Sequence, residues 1–387
     1  MSRSLKFGAV VPPIFPPRMQ VSLAQAFEWM GFDSIWFPDH ITYPDLGPAP
    51  DPWSIIPAAA MKTRRIVFGT AVTDPHRHHP AVFAQRLATV DQMSKGRIIL
   101  GLGSGEVMNL DPFGIPWDRR WARTREWVTV VRGLLDSTEP FDFKGEFFRI
   151  EHAHLSQRPY KGRHLPLYLA ALGPKMQAYA GRVADGWIPT SLPPSFYAEY
   201  FAPIGRAARE AGRDPDQIHR CAMLMIGIAD RPEPVFELVR GHAMGLIWPP
   251  VKARMGLHWE VPPGTDDVSY ATINPHDPES LRKFRAQQDA IPREVLERFV
   301  FVGDVAKIRR VIGEYIDAGV DHFHLTNVSV DPTAILKIAN DVIPYFKKRR
   351  PPLSVFIIGS LARKARSLGL VKDADPHKAM DWLRRQQ

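Results

Sequence analysis

The sequence predicts a (β/α)8 barrel, in which eight parallel strands alternate with helices. Eight short apolar runs recur along the chain of 387 residues, and helix-like stretches follow most of them. The runs are nearly continuous rather than alternating, which is typical of strands buried on both faces. The second run ends in Phe37-Pro38-Asp39-His40. Because the ends of barrel strands meet at one mouth, reactive groups are expected there.

The predicted strands are rich in Val, Ile, Leu and Phe. They are Lys6–Val11, Ser34–Phe37, Ile66–Val72, Ile98–Leu102, Leu167–Ala170, Gly186–Pro189, Ala222–Ile228 and His322–Leu325. A doubly wound open sheet is the alternative fold, and it requires a glycine-rich turn after the first strand. That turn is the proline-rich segment 12–17 here, which favours the barrel.

Predicted helices follow the first strand and the third to eighth strands. They are Ser22–Met30, Pro80–Met93, Arg119–Leu135, Pro174–Val183, Ser195–Ala211, Pro232–Met244 and Thr333–Phe346. Gly31 and Gly96 stand just past two of these helices, where glycine commonly ends a helix. Pro80 stands at the start of the helix that Gly96 follows, and its fixed φ suits the first turn there.

The barrel is expected to span residues 1–350, with insertions at about 137–165 and 245–300. The first insertion has a Phe-rich alternation that indicates a small hairpin. The second is rich in Pro, His and Trp, and is expected to form a partly helical cap over the barrel mouth. Residues 351–387 change in character and are predicted to be a basic, helical C-terminal tail.

Composition narrows the class of protein. The single cysteine, Cys221, excludes an internal disulfide framework. No secretion signal and no apolar run of about 20 residues is visible, so a soluble cytoplasmic protein without a membrane segment is expected. The net charge of +9 is compatible with a polyanionic cofactor, nucleic acid or an anionic surface. Without a zinc spacing or a recognisable nucleic-acid motif, nucleic-acid binding is not expected.

Two residues at predicted strand ends are candidates for proton transfer. His40 can give or take a proton near neutral pH, and the adjacent Asp39 could orient it or raise its basicity. Glu106 follows the fourth strand, and a carboxyl group in a dry pocket stays protonated more easily. Each also has an ordinary explanation, as a loop histidine bonded to backbone or a glutamate at a helix start.

Other strand ends have features of a ligand site. The segment 101–105 is glycine-rich and lets the backbone approach a ligand closely. The segment 172–175 opens a helix whose free N–H groups could receive a phosphate. The run His76-Arg77-His78-His79 looks like a metal cluster, but consecutive side chains point in different directions. Anion contact or solvation is therefore favoured for this run, and no metal site is predicted.

These motifs together resemble the bacterial luciferase-like superfamily, in its branch of coenzyme F420-dependent oxidoreductases. Within that branch the chain is most similar to phthiodiolone ketoreductase-like proteins and, more distantly, to methylenetetrahydromethanopterin reductases. The motifs occur in the family order over roughly the first 350 residues. They are segments 35–40, 69–74, 94–97, 101–106, 170–174 and 184–187, with 266–268, 273–277 and 299–304 supporting the ketoreductase likeness.

The resemblance implies a barrel of the luciferase-like type with a deazaflavin, coenzyme F420, at its mouth. It implies catalytic roles for His40, Glu106 and Asp39, without deciding which of the first two is the acid. It also implies a non-proline cis peptide at Val72-Thr73 or Thr73-Asp74 that supports the ring. The implied cofactor-binding residues are Asp39, Val72, Thr73, Asp74, Gly103, Ser104, Gly105, Asn109, Ala171, Leu172, Gly173, Pro174 and Thr190.

The reaction implied is hydride transfer between the deazaflavin and a carbonyl, alcohol or imine-type substrate, in a homodimer. One alternative is a luciferase-like monooxygenase that uses flavin mononucleotide (FMN). Another is a barrel that binds a cofactor without catalysis. The substrate itself is a small molecule that the sequence does not name.

Overall fold

The chain forms a closed parallel barrel in its computed structural model, which describes residues 4–43, 49–240, 247, 249–270, 272–331 and 333–348. The strands of the chain are β1 Lys6–Val10, β2 Ser34–Phe37, β3 Val67–Thr70, β4 Ile98–Leu102, β5 Phe141–Lys144, β6 Arg149–Ala153, β7 Leu167–Ala170, β8 Gly186–Ile188, β9 His219–Ile228, β10 Val300–Gly303 and β11 His322–Asn327. Eight of them, β1–β4, β7–β9 and β11, make the barrel. It closes because β11 pairs with both β1 and β9, and β9 also pairs with β8.

All eight predicted barrel strands are therefore confirmed, with ends that differ by a few residues. The sequence did not predict β10, which is four residues long. The three-residue β8 pairs with the start of β9 at His219 and Arg220. β10 pairs with the last four residues of β9, from Met225 to Ile228, so this edge of β9 has a partner at both ends.

Helices surround the barrel. They are α1 Pro17–Met30, α2 Pro52–Lys62, α3 Pro80–Ser94, α4 Arg120–Asp136, α5 Pro174–Val183, α6 Pro194–Glu210, α7 Glu233–Arg240, α8 Pro249–Arg254, α9 Pro278–Asp289, α10 Arg293–Leu296, α11 Val305–Asp317, α12 Ala334–Lys337 and α13 Ile343–Lys347. Helix α2 was not predicted, because Pro52 and Pro57 interrupt its pattern. Pro52 occupies the first turn after the N-cap Asp51, where proline is tolerated.

The two insertions take different forms. The first contains the antiparallel hairpin β5–β6, as its alternation predicts. The second contains α8, α9 and α10, and its residues Val268, Ile273 and Phe284 pack against Met108, which follows β4. The second insertion therefore contacts the carboxyl-terminal end of the barrel. The predicted basic tail, 351–387, lies outside the described residues.

The apolar core has two parts. A large outer cluster lies between the strands and the surrounding helices. A separate inner cluster fills the barrel and includes Trp36, Tyr168 and Cys221, with Ala71 and Val72 partly buried at its edge. Among the described residues no helix is long and apolar enough to cross a membrane.

A glycine in β4 permits the close contact between β3 and β4. A Cβ atom at Gly101 would fall directly onto the backbone carbonyl oxygen of Thr70. We expect Gly101→Ala to lower the free energy of unfolding by about 3 kcal/mol, because backbone must move. Gly313→Ala in α11 is the control, since its Cβ meets nothing within 4 Å, and it should stabilise the chain by about 0.5–1 kcal/mol. Urea unfolding measures the free energy of unfolding of both variants. Equal changes in the two would show that Gly101 is not needed for the contact between β3 and β4.

Asp185 joins α4 to the start of β7. Its carboxylate accepts hydrogen bonds from Arg132 Nη2 at 2.9 Å and from the backbone N–H of Leu167 at 2.8 Å, and it lies 3.0 Å from His164 Nε2. Burial raises the pKa of Asp185, but these hydrogen bonds and the charge of Arg132 outweigh it and hold the pKa below its ordinary 3.8.

The unfolded chain therefore binds more protons than the folded chain in acid. The stabilisation by Asp185 should be complete above its ordinary pKa and should be lost as pH falls through the lower, folded pKa. We expect Asp185→Asn to cost about 1–3 kcal/mol near neutral pH and less near pH 3, as urea unfolding would show. Asp216→Asn, at an ion pair whose carboxylate is 80% exposed, should change stability by less than about 1 kcal/mol. A cost for Asp185→Asn that is independent of pH would contradict the account.

Candidate active site

The predicted site residues follow five different strands of the barrel. His40 follows β2, Thr73 follows β3, Glu106 follows β4, Gly173 follows β7 and Thr190 follows β8. All five strands run parallel. Their carboxyl ends therefore open on the same mouth, where enzymes of this fold hold their reactive groups.

His40 and Glu106 meet at this mouth. Nδ1 of His40 lies 3.3 Å from Oε2 of Glu106, with side-chain exposures of 10% and 33%. Nδ2 of Asn109 lies 2.8 Å from the same histidine nitrogen and 3.2 Å from the same glutamate oxygen. The imidazole of His40 is thus bonded to the neutral amide of Asn109, and not to the carboxylate of Asp39.

The backbone fixes the orientation of the Asn109 carboxamide. Its Oδ1 accepts hydrogen bonds from the backbone N–H groups of Ile41 at 2.7 Å and Thr42 at 3.1 Å. Its Nδ2 must therefore be the atom that faces His40 and Glu106, and an amide nitrogen can only donate. Because Asn109 donates to Nδ1, the neutral imidazole of His40 carries its proton on Nε2.

Two tyrosines line the same region. The ring of Tyr43 lies edge-on to His40, with centroids 4.3 Å apart. Desolvation raises the pKa of the Tyr43 phenol to about 12, against a hydrogen bond with Tyr270 that lowers it. Tyr270 belongs to the second insertion and packs beside Met108 and Phe284. Neither tyrosine stands in a motif, so the sequence alone gives no signal for them.

Asp39 and Asp74 are joined by one buried guanidinium. Arg77 Nη1 lies 2.9 Å from Oδ1 of Asp39, and Arg77 Nε lies 2.5 Å from Oδ2 of Asp74. Trp53 Nε1 donates to the second oxygen of Asp39 at 3.0 Å. The side chains of Asp39 and Arg77 are 3% and 9% exposed. These contacts hold the loops after β2 and β3 together directly beside His40.

The loops after β3 and β4 also bond to each other. The backbone N–H of Thr73 donates to the carbonyl of Gly101, and the N–H of Gly103 donates to the carbonyl of Thr73. A Cβ atom at Gly103 would lie 2.6 Å from Cγ2 of Val72, so glycine allows this approach. The expected non-proline cis peptide is present, but it joins Ala71 to Val72. The predicted positions were wrong by one residue or more, since strand ends cannot be located that finely from an apolar run.

Ser104 and Gly105 form the next part of the rim. The carbonyl of Ser104 accepts a hydrogen bond from Trp117 Nε1 at 3.2 Å and lies 3.1 Å from His76 Nε2. Gly105 has a φ of +80°, and its Cβ position lies 2.9 Å from Leu110, so glycine is required there. Burial lowers the pKa of His76, which favours its neutral form.

The rest of the histidine run faces other groups. Nε2 of His78 lies 3.0 Å from Arg86 Nη1, and Nδ1 of His79 accepts a hydrogen bond from the N–H of Ala81 at the start of α3. The three histidines of this run therefore have different partners, as consecutive residues should.

The segment after β7 presents a helix N-terminus. Gly173 caps α5 without a side-chain hydrogen bond, and no acidic residue occupies the first turn. The carbonyl of Ala171 accepts a hydrogen bond from Trp187 Nε1 at 2.7 Å, which fixes the backbone ahead of Leu172 and Gly173. Unpaired N–H groups at such an end, with Pro174 at the first position, suit an anion such as a phosphate.

Three buried polar atoms near the mouth have no hydrogen-bond partner within the part of the chain that the structure describes. They are Oγ1 of Thr73, Oγ1 of Thr190 and Nδ1 of His76. Buried polar atoms are normally paired, so these mark positions that a ligand or water can satisfy. A deazaflavin ring requires polar atoms beside an apolar surface such as that of Val72. Its phosphate-bearing side chain requires an anion-binding group such as the N-terminal end of α5. The residues present therefore fit that cofactor.

The barrel and its mouth define a class of protein, the luciferase-like barrels. The family model described as luciferase-like monooxygenase matches residues 4–322. The chain therefore belongs to the bacterial luciferase-like family, as the sequence predicts.

Individual relatives are more specific. The chain is 31% identical to an F420-dependent glucose-6-phosphate dehydrogenase of Kineococcus radiotolerans, over 86% of this chain and 94% of the relative. It is 29% identical to a phthiodiolone/phenolphthiodiolone dimycocerosates ketoreductase of Mycobacterium tuberculosis, over 89% of this chain and 98% of the relative. A solved F420-dependent secondary alcohol dehydrogenase, in complex with an F420-acetone adduct, matches with a TM-score of 0.75 and 26% identity, covering 89% of this chain and 98% of that one.

The ion pairs of Arg77 provide a test of how the site is held. We expect Arg77→Met to lower the free energy of unfolding by about 3–5 kcal/mol, because two buried carboxylates lose their partner. Arg149→Met is the control, since Arg149 and Glu151 are 68% and 67% exposed and such a pair contributes less than about 1 kcal/mol. Urea unfolding measures both, and a loss at Arg77 no larger than at Arg149 would show that the network does not hold the loops.

Proposed function

We propose that this chain is a coenzyme F420-dependent oxidoreductase that transfers hydride between the deazaflavin and a carbonyl or alcohol carbon, or an imine-type carbon. The observation that carries the proposal is the meeting of His40, Glu106 and Asn109 at the barrel mouth. The F420 dependence of a glucose-6-phosphate dehydrogenase at 31% identity, and of a solved secondary alcohol dehydrogenase at 26% identity, supports the choice of cofactor.

The proposed cofactor seat uses the unpaired groups of the mouth. Val72, Thr73 and Gly103 would support the ring, with Thr190 opposite. The N-terminal end of α5, at Gly173 and Pro174, would receive the phosphate. The remaining proposed contacts are Asp39, Asp74, Ser104, Gly105, Asn109, Ala171 and Leu172. When bound, the deazaflavin supplies or accepts the hydride, and the protein provides position and protons.

His40 would handle the proton at the substrate oxygen. Its Nδ1 faces Asn109 and Glu106, so Nε2, which carries the proton in the neutral ring, is the nitrogen left for a substrate. As Nε2 gives its proton to a carbonyl oxygen, Nδ1 takes up a proton that the partly exposed carboxyl group of Glu106 relays from water. Glu106 ends as a carboxylate and His40 ends neutral, so the proton comes from solvent and the charges balance.

Asn109 would favour both ends of this transfer. Before the transfer Nδ2 of Asn109 donates to His40 Nδ1 and holds the ring in its Nε2–H form. Once Nδ1 takes up the proton it can no longer accept, and Nδ2 of Asn109 donates to Glu106 Oε2, 3.2 Å away, where it stabilises the carboxylate that forms. In alcohol oxidation the same path runs backwards and returns the proton to Glu106. The relatives and the solved structure named above include a ketoreductase, a glucose-6-phosphate dehydrogenase and a secondary alcohol dehydrogenase, which supports a site of this kind working in either direction.

The chain is further proposed to act as a cytoplasmic homodimer on a small molecule. Large apolar side chains are exposed on three successive helices: Trp29 of α1, Met61 of α2 and Val82 of α3, with exposures of 53%, 66% and 55%. Exposed apolar side chains of this size on neighbouring helices support association, because a second subunit could cover them. FMN-dependent oxygen chemistry and cofactor binding without catalysis are the alternatives.

Substitution of the acid pair tests the proposal. We expect His40→Asn and Glu106→Gln each to lower kcat by about 10²–10⁴-fold, since general acid catalysis contributes that much. The dissociation constant for oxidised F420 should change by less than about threefold, because the loss lies in the chemical step. Secondary alcohols and hydrophobic ketones serve as substrates, with turnover followed by deazaflavin absorbance.

His164→Gln is the matched control, because His164 is 56% exposed and bonds Asp185 away from the mouth. It should leave turnover unchanged. Turnover that survives in both acid-pair variants would refute the proposed proton path. Binding of F420 without turnover of any alcohol or ketone in the wild-type chain would favour a barrel that binds the cofactor without catalysis.

A further inference from the structure

A second group of reactive side chains lies inside the barrel, apart from the mouth residues described above. Cys221 on β9 and His322 and His324 on β11 each offer one donor atom, and these atoms lie within 4.8 Å of one another. Cys221 stands directly opposite His322 in the strand register. Residues two apart on a strand share a face, so His324 points to the same side as His322. The three side chains are 0%, 1% and 0% exposed.

The imidazoles of this group are short of partners. Nδ1 of His322 and both ring nitrogens of His324 are buried without a hydrogen bond. An unpaired buried polar atom costs about 1–3 kcal/mol, so three together call for an unseen partner such as water or an ion. A neutral imidazole presents a lone pair on one ring nitrogen, and that nitrogen can ligate a metal ion.

The surroundings hold both rings in place. Nε2 of His322 lies 2.9 Å from Ser34 Oγ, which also accepts a hydrogen bond from Trp36 Nε1. A proton on Nε2 directed at Ser34 leaves Nδ1 as the bare nitrogen, which is how metal-binding histidines are usually oriented. His324 stacks on Trp36 with centroids 3.8 Å apart, so its nitrogens point along the indole face and stay accessible to an ion.

The three ligand atoms of this group, one sulfur and two imidazole nitrogens, favour a soft metal ion. One thiolate and two imidazoles are typical ligands of copper and zinc, and a nearby methionine thioether adds to the preference for copper. Met223 is the residue opposite His324 in the register, and it packs in the same inner cluster as Cys221. The sequence analysis found no metal spacing, because 101 positions separate Cys221 from His322 in the chain.

The net charge of the occupied site distinguishes Cu(I) from Zn²⁺. A thiolate, two neutral imidazoles and Cu(I) have no net charge, whereas Zn²⁺ would leave one positive charge buried. A buried net charge is costly unless it is paired. The carboxylate of Asp321, which precedes His322, lies 3.0 Å from His219 Nδ1, and His219 in turn lies 3.2 Å from Lys6 Nζ, so its negative charge already faces basic side chains.

We propose that Cys221, His322 and His324 bind one Cu(I) ion inside the barrel. As the ion binds, the thiol of Cys221 releases its proton to bulk water, and a copper–sulfur bond replaces the sulfur–hydrogen bond. Metal–ligand bonds of about 2.0–2.3 Å imply donor spacings near 3.6 Å, so the group contracts by roughly 1 Å on binding. This site is independent of the F420 reaction proposed above.

Metal content provides the test. The full chain is produced in cells supplied with copper and zinc, purified without chelator, and measured by native mass spectrometry and copper X-ray absorption. We expect one copper ion per chain, with one short sulfur and two nitrogen neighbours. Because the chain has a single cysteine, a thiolate sulfur next to copper identifies Cys221.

Three variants complete the experiment. Cys221→Ser is nearly isosteric and should lower copper occupancy at least tenfold, and His324→Phe, which can keep the ring stack on Trp36, should do the same. The control His164→Gln should retain the copper. If the variants unfold, the wild-type measurement decides alone. A wild-type chain without metal, a chain with zinc in place of copper, or copper that persists in Cys221→Ser would each overturn the proposal.

Discussion

The site depends on one buried guanidinium, that of Arg77. It bridges Asp39 after β2 and Asp74 after β3, and so it fixes two loops that the barrel strands alone would leave free at the mouth. His40 follows Asp39 directly, and Val72 and Thr73 precede Asp74. A shift of either loop would therefore move both the proposed acid and the proposed ring support. Burying one guanidinium and two carboxylates costs several kcal/mol unless the charges are paired. The ion pairs of Arg77 with Asp39 and Asp74 provide that pairing.

The second constraint is the amide of Asn109. The backbone N–H groups of Ile41 and Thr42 donate to its oxygen. The nitrogen of the amide is therefore the atom that faces His40 and Glu106. Asn109 follows β4, whereas the N–H groups follow β2. The amide therefore sets the tautomer of the imidazole through a contact between two βα loops. A proton path through His40 follows from this geometry rather than from the identity of the residues alone.

Much of the fold could be predicted from the sequence, because nearly continuous apolar runs are what a buried parallel strand requires. The same logic placed His40, Glu106 and Asn109 at one mouth. It missed β10, which lies outside the eight strands of the barrel, and α2, whose prolines hide its helical pattern.

Contacts between distant residues could not be predicted. The partnership of Asp39 with Arg77 depends on where two loops meet. The carboxamide orientation of Asn109 depends on backbone N–H groups that no motif reports. The grouping of Cys221 with His322 depends on the register between β9 and β11, and the sequence alone does not give that register.

The central claim is that this mouth is built for a deazaflavin. The most direct measurement is a titration of the full chain with oxidised coenzyme F420 and, separately, with oxidised FMN, read by quenching of the ring fluorescence. The account predicts saturable binding of F420 that is at least about tenfold tighter than that of FMN. Binding of FMN in preference to F420, or no binding of either, would contradict it.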